Sequence, residues 1–120
     1  MKTVMIIDDS ETDQYLSTHI IKKYDANIEI LQAYDGEEAL EILKALPTQP
    51  DLIFLDINMP RMNGHEFLEE YDKWEKRSEV IIMLTSSDQK QDKEKSLAYQ
   101  CVKKYYVKPI EVVDLKTILE

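Results

Sequence analysis

Residues 52–64 read L-I-F-L-D-I-N-M-P-R-M-N-G. Four apolar residues run straight into Asp56, after which the chain turns polar and carries Pro60 and Gly64. An apolar run without polar alternation reads as a strand covered on both faces, as in parallel sheets. Burial penalises the charge of a carboxylate at the tip of such a strand, so Asp56 requires compensation from elsewhere in the chain.

Two more runs have the same character, V-M-I-I at Val4–Ile7 and V-I-I-M-L at Val80–Leu84. With Ile28–Ala33 and Tyr105–Val107 they make five predicted strands. Helices are predicted between and after them, at about Glu11–Tyr24, Glu37–Leu46, Gly64–Glu75, Gln89–Gln100 and Val112–Leu119. Leu16, Ile20 and Ile21 recur at helical spacing, as do Ala39, Leu40 and Leu43. Ser10 is placed to cap the first helix, Asp35-Gly36 marks a turn, Pro47 and Pro50 bracket a loop, and Asn63-Gly64 starts the third helix. Strict β-α alternation implies an α/β fold, a three-layer sandwich around a parallel sheet with right-handed crossovers. No internal repeat, low-complexity tract or linker is visible.

At 120 residues the chain is expected to form one domain, residues 1–120, large enough to bury roughly 65–70% of its unfolded surface. Fifteen basic against twenty-four acidic side chains leave a net charge of -9, which argues against nucleic-acid binding by this domain. The single Cys101 cannot form an internal disulfide, which fits a reducing compartment. The opening M-K-T-V-M-I-I-D-D turns acidic too soon for a signal peptide, and no apolar run approaches the ~20 residues of a membrane span. A cytoplasmic location is the expectation.

Ligands of open parallel sheets bind beyond the carboxyl ends of the strands. There the first strand delivers Asp8-Asp9, the third Asp56, the fourth Thr85-Ser86-Ser87 and the fifth Lys108-Pro109. Only the second strand, expected at an edge, ends without a reactive group. Taken singly each feature has a bland reading: Asp-Asp-Ser caps a helix, a strand-end Asp begins a turn, Thr caps, and Lys-Pro is unremarkable. Together they bring three carboxylates, a hydroxyl and an ammonium to one edge. Clustered carboxylates repel one another unless a cation joins them, and Mg²⁺ suits one or two carboxylates plus phosphate. A nucleophilic carboxylate beside Mg²⁺, Lys and Thr is equipment for phosphoryl transfer.

From Lys2 to about Leu119 the chain closely resembles the receiver domain of bacterial two-component response regulators, whose single-domain members include the chemotaxis regulator. The residues that carry the likeness are Asp8-Asp9, D-I-N-M-P-R-M-N-G from Asp56 to Gly64, Thr85-Ser86, Tyr105 and Lys108-Pro109. The resemblance implies a flavodoxin-like (βα)5 fold with strand order 2-1-3-4-5. It implies that Asp56 accepts a phosphoryl group from a sensor histidine kinase or a histidine phosphotransfer protein. Asp9 would bind Mg²⁺ directly, Asp8 mainly through water, Asn58 through its backbone carbonyl, with the same ion compensating Asp56. Lys108 and Thr85 would each hold a phosphoryl oxygen. Pro109 would be cis and direct Lys108 into the site, with small Ser86 beside the phosphate. Phosphorylation would draw Thr85 toward the phosphate and turn Tyr105 inward, a two-state switch controlling a downstream protein partner. A monomer or weak dimer is the expectation for this chain.

Family members carry Gly-Ala where this chain has Cys101-Val102, which is expected to alter the turn into the fifth strand. Cys101 reads as structural. Between Asp88 and Lys108, six lysines face three acids, which reads as a solvated helix face or as a basic output surface. His19 and His65 receive no role, Trp74, Met59 and Met62 read as packing residues, and Gln14 and Tyr15 are placed facing a phosphodonor bundle. Phosphate lifetime is expected to be moderate, since neither Asn58 nor Ser87 is an obvious base. Two rival functions fit the residues less well. A haloacid-dehalogenase-type phosphatase wants a second acid two residues after its nucleophile, where this chain has Asn58. A phosphorylation-independent interaction module is disfavoured because all five reactive residues are present. The reading is therefore a phosphoacceptor and not a multiple-turnover enzyme.

Overall fold

Strands and helices alternate without exception along residues 2–120, the part of the chain that the computed structural model describes. The order is β1 (Thr3–Ile7), α1 (Glu11–Tyr24), β2 (Glu29–Ala33), α2 (Gly36–Ala45), β3 (Leu52–Leu55), α3 (Gly64–Tyr71), β4 (Ile81–Thr85), α4 (Lys90–Leu97), β5 (Val102–Val107) and α5 (Val112–Leu119). The five strands form one parallel sheet in the order β2-β1-β3-β4-β5. β2 and β5 are its edges.

Strand side chains alternate between two apolar layers. Met5, Ile7, Ile53, Leu55, Ile81 and Met83 pack against Ala39 and Leu43 of α2 and Phe67, Leu68 and Tyr71 of α3. Val4, Ile6, Leu52, Phe54, Ile82 and Leu84 pack on the opposite face with Ile21 of α1 and Leu115 of α5. β1, β3 and β4 are thus wrapped on both sides, which is why their sequences lack alternation.

Local chemistry sets the helix starts. The Ser10 hydroxyl accepts from the Asp13 amide, Asp35 accepts from Glu38, and Asn63 forms a reciprocal capping box with Glu66. Several boundaries differ from the sequence-based expectation. α3 ends at Tyr71 and α4 at Leu97, each earlier than predicted, because the amides of Lys73, Trp74 and Tyr99 bond to Glu70, Tyr71 and Ser96, three residues back, and the chain leaves the helix in a tight turn. β5 begins three residues earlier than predicted, at Val102, since an edge strand carries Lys103 and Lys104 into solvent.

The amino end of the sheet is closed by a polar and aromatic seal. Buried Tyr71 donates its hydroxyl to Gln49 (2.7 Å) and accepts from the Ser78 amide (2.7 Å), while Ser78 donates to the Pro50 carbonyl (2.6 Å). Trp74 stands edge-on against the Tyr71 ring, with centroids 5.0 Å apart. Among the described residues no helix is long and apolar enough to cross a membrane.

Candidate functional site

The parallel ladder continues one residue past the strands and so aligns their tips. The Asp8 amide donates to Ala33 (3.0 Å), Asp56 to Ile7 (3.0 Å) and Lys108 to Thr85 (2.8 Å). Asp8, Asp56, Thr85 and Lys108 consequently reach one edge of the sheet together. Each of Asp8, Asp9 and Asp56 offers a carboxylate oxygen, and these oxygens lie within 4.8 Å of one another. Asp8 and Asp56 are buried and Asp9 is exposed, so the cluster opens on one side.

Lys108 lies at the centre. Its Nζ is 2.6 Å from Asp8 Oδ2, 2.9 Å from Asp56 Oδ2 and 2.8 Å from Asp13 Oδ2. Burial disfavours its charge, but hydrogen bonds to Asp13, Asp8 and Asp56 outweigh that effect and push its pKa up. Burial also pushes the Asp8 carboxyl above its usual range, against the opposing pull of Lys108 and the Ser10 amide. The second oxygens are occupied too: Asp8 Oδ1 accepts from Ser10 (3.0 Å) and Asp56 Oδ1 from Ile57 (2.7 Å). The Lys108–Pro109 peptide bond is cis.

The loop after Asp56 is held close. Gly64 donates to the Ile57 carbonyl at 2.8 Å, and a Cβ at this glycine would sit 2.3 Å from the Asp56 carbonyl oxygen. No side chain fits there unless the Asp56–Ile57 backbone moves. Arg61, in the left-handed region at φ 62°, pairs with buried Asp35 and so ties the loop to α2. Burial opposes the Asp35 charge, but the Glu38 amide and Arg61 hold its carboxyl below the ordinary range. Asn58 is exposed two residues beyond Asp56.

On the other flank Thr85 is fully buried and accepts from the Ser87 amide (3.3 Å), while Tyr105, half-buried, donates its hydroxyl to the Ser87 carbonyl (2.9 Å). Ser87 also donates to Asp92 (2.6 Å). Ser86 is exposed.

Three residues depart from their sequence-based reading. Asp13, to which the sequence assigns no role, joins Lys108; one turn into a helix, an acid reads equally well as a complement to the helix dipole. Gln14, expected to face outward, is 1% exposed, and its amide donates to the carbonyls of Ile6 (3.1 Å), Asp8 (3.1 Å) and Ala33 (2.9 Å). Tyr15 beside it is exposed. His65, assigned no role, is buried with Nε2 3.0 Å from Ser96 Oγ, joining α3 to α4. No spacing signal announces that contact. Cys101 is fully buried, and burial pushes its thiol up to about 12, a value at which it stays protonated and unreactive near neutrality.

An all-oxygen, anionic donor set suits a hard cation such as Mg²⁺, and neither sulfur nor imidazole joins the cluster. Lys108 occupies Oδ2 of both Asp8 and Asp56, so a cation and this ammonium compete for the same atoms.

Comparison with known proteins gives a consistent result. The profile of the response regulator receiver domain matches residues 4–120. Protein PilH of Pseudomonas aeruginosa is 32% identical over 120 residues, covering 98% of this chain and 95% of PilH. The sensor histidine kinase CheAY of Helicobacter pylori is 34% identical over 118 residues, 98% of this chain but only 14% of that protein. Among solved structures, the CheX-CheY-BeF3-Mg²⁺ complex from Borrelia burgdorferi contains a chain that superposes with a TM-score of 0.84 at 28% identity, over 98% of this chain and 86% of that one.

Proposed function

This chain belongs to the response regulator receiver family of two-component signalling, and from that premise we propose that Asp56 is its phosphoacceptor. Receivers are signalling domains rather than classical enzymes, and the proposed role is a switch operated by one covalent charge. The observation that carries it is the Asp56 carboxylate standing in the 4.8 Å acidic cluster with the Lys108 ammonium 2.9 Å away.

The phosphoryl donor is a phosphohistidine of a sensor histidine kinase or a histidine phosphotransfer protein. An Asp56 oxygen attacks phosphorus, the P–N bond breaks with its electron pair returning to the donor imidazole, and an acyl phosphate forms. Lys108 stays beside the reacting carboxylate and compensates charge on a phosphoryl oxygen. Thr85 donates its hydroxyl to another. Asp8, Asp9, Asp56 and the Asn58 carbonyl would hold Mg²⁺, which supplies positive charge to the transferring group.

Conversion of Asp56 to its phosphate leaves roughly -1.5 to -2 of charge at that point. Ser87 supports the reading of Thr85 and Tyr105 as the responding pair, because its amide bonds to one and its carbonyl to the other. Movement of Thr85 toward the phosphate thereby releases Tyr105 to change its position. The output is binding to a downstream protein, in the cytoplasm, by a monomer or weak dimer. A net charge of -9 speaks against nucleic acid as the direct target.

Treatment with acetyl phosphate and Mg²⁺ is expected to add one phosphoryl group by intact mass. That gain should vanish with a chelator and in Asp56→Asn. A gain that persists in Asp56→Asn overturns the assignment.

A further inference from the structure

Lys108 has three carboxylate partners, and they are not equivalent. Asp8 and Asp56 belong to the cluster that suits a cation, and Asp13 does not. Asp13 lies in the first turn of α1, where Ser10 caps its amide, and its side chain is 35% exposed. It lines the groove that α1 forms with Lys108–Val113, so the Asp13–Lys108 pair faces solvent on that side.

We propose that Asp13 is a positioning residue that holds the Lys108 ammonium when Asp8 and Asp56 turn to the metal, and that competes with the phosphoryl group for it. The proposal rests on Asp56 being the phosphoacceptor.

Charge bookkeeping gives the direction of both effects. Four carboxylates and one ammonium leave the resting site at -3 (Asp8, Asp9, Asp13 and Asp56 against Lys108). This excess favours a divalent cation and disfavours a phosphoryl dianion. Without the Asp13 charge, Lys108 has only Asp8 and Asp56 as partners and blocks their Oδ2 atoms more persistently, so the cation binds less well. Once phosphate is in place, the same loss removes its competitor for the ammonium and one repelling charge. Asp13 therefore strengthens metal binding and weakens phosphate retention. A residue that merely supports the fold has no reason to move these two quantities in opposite directions.

The test uses Asp13→Asn and Asp13→Glu beside the native chain. Calorimetric titration with MgCl₂ alone gives the cation affinity. Intact mass at saturating Mg²⁺ and acetyl phosphate gives the steady-state ratio of phosphorylated to free protein. Asp13→Asn is expected to weaken Mg²⁺ binding roughly threefold and to raise that ratio by about the same factor, the scale of one nearby charge in a partly screened site. Asp13→Glu keeps the charge within reach of Lys108 and should stay near the native values. Opposite movement of the two quantities in Asp13→Asn is the required result; no change, or a fall in both, overturns the role of Asp13. A native chain that takes up no phosphoryl group overturns the phosphoacceptor reading, and this inference falls with it.

Discussion

α1 and α4 flank the Asp56 site on opposite sides and are attached to the sheet by different means. α1 runs 14 residues, starts from a side-chain cap at Ser10 and buries Gln14, Ser17 and Ile21. Gln14 alone donates to three carbonyls at the tips of β1 and β2. α4 runs 8 residues, has no side-chain cap at Gln89 and buries only Ser96. It is joined to its surroundings by polar links: Ser87 to Asp92, and His65 to Ser96. One flank is fastened to the sheet, and the other rests on a few exchangeable bonds. A helix held in that way is drawn from the low-stability end of the molecule and is suited to shift when charge changes beside it.

The sharpest test of this contrast is Gln14→Ala. It takes the side-chain donor from the Ile6, Asp8 and Ala33 carbonyls, of which Ala33 keeps its bond from the Asp8 amide, and should lower unfolding stability by about 2 kcal/mol in urea denaturation. A loss under about 1 kcal/mol would break the comparison, because α1 would then be no better fastened than α4. Ser96→Ala removes one polar joint and should lower stability by only about 1 kcal/mol. Its signature is local, with amides of α4 exchanging hydrogen faster while those of β1 and β3 hold their protection. Uniform acceleration would show that α4 unfolds only with the whole domain.

The smallest effect concerns acid. Burial, reinforced by Lys95, lowers the pKa of His65 below its ordinary 6.5, while Asp92 opposes the shift. The unfolded chain therefore takes up this proton before the folded one does, and stability falls as pH drops below about 6.5. His65→Gln should flatten that slope, measured as urea midpoints across the range. An unchanged slope would remove His65 from the account of how α4 is held.

The strands wrapped on both faces were readable because burial on both sides suppresses alternation, as V-M-I-I, L-I-F-L and V-I-I-M-L display. The edge strand β5 was read only from Tyr105 onward, because Lys103 and Lys104 answer to solvent and mask the extended backbone. Asp8, Asp9, Asp56, Thr85 and Lys108 could be placed on one edge because a parallel sheet delivers its strand ends together. Asp13 and Gln14 escaped for a different reason. Residue type at a helix start does not say which side chains turn back toward strand-end carbonyls or toward a lysine ninety-five residues away. His65 and Ser96 meet across two helices whose crossing no local pattern encodes.

Trp74 is the chain's single tryptophan, and it stands against Tyr71 at the amino end of the sheet, where the chain enters β4. Asp56 lies at the carboxyl end, beyond a span of strand on the order of 13–17 Å. Tryptophan emission from this protein therefore monitors the integrity of the Tyr71–Ser78 seal rather than events at the acidic cluster. A constant spectrum on adding metal or phosphodonor is the expected baseline, and an optical probe of the proposed switch belongs on the α4 side.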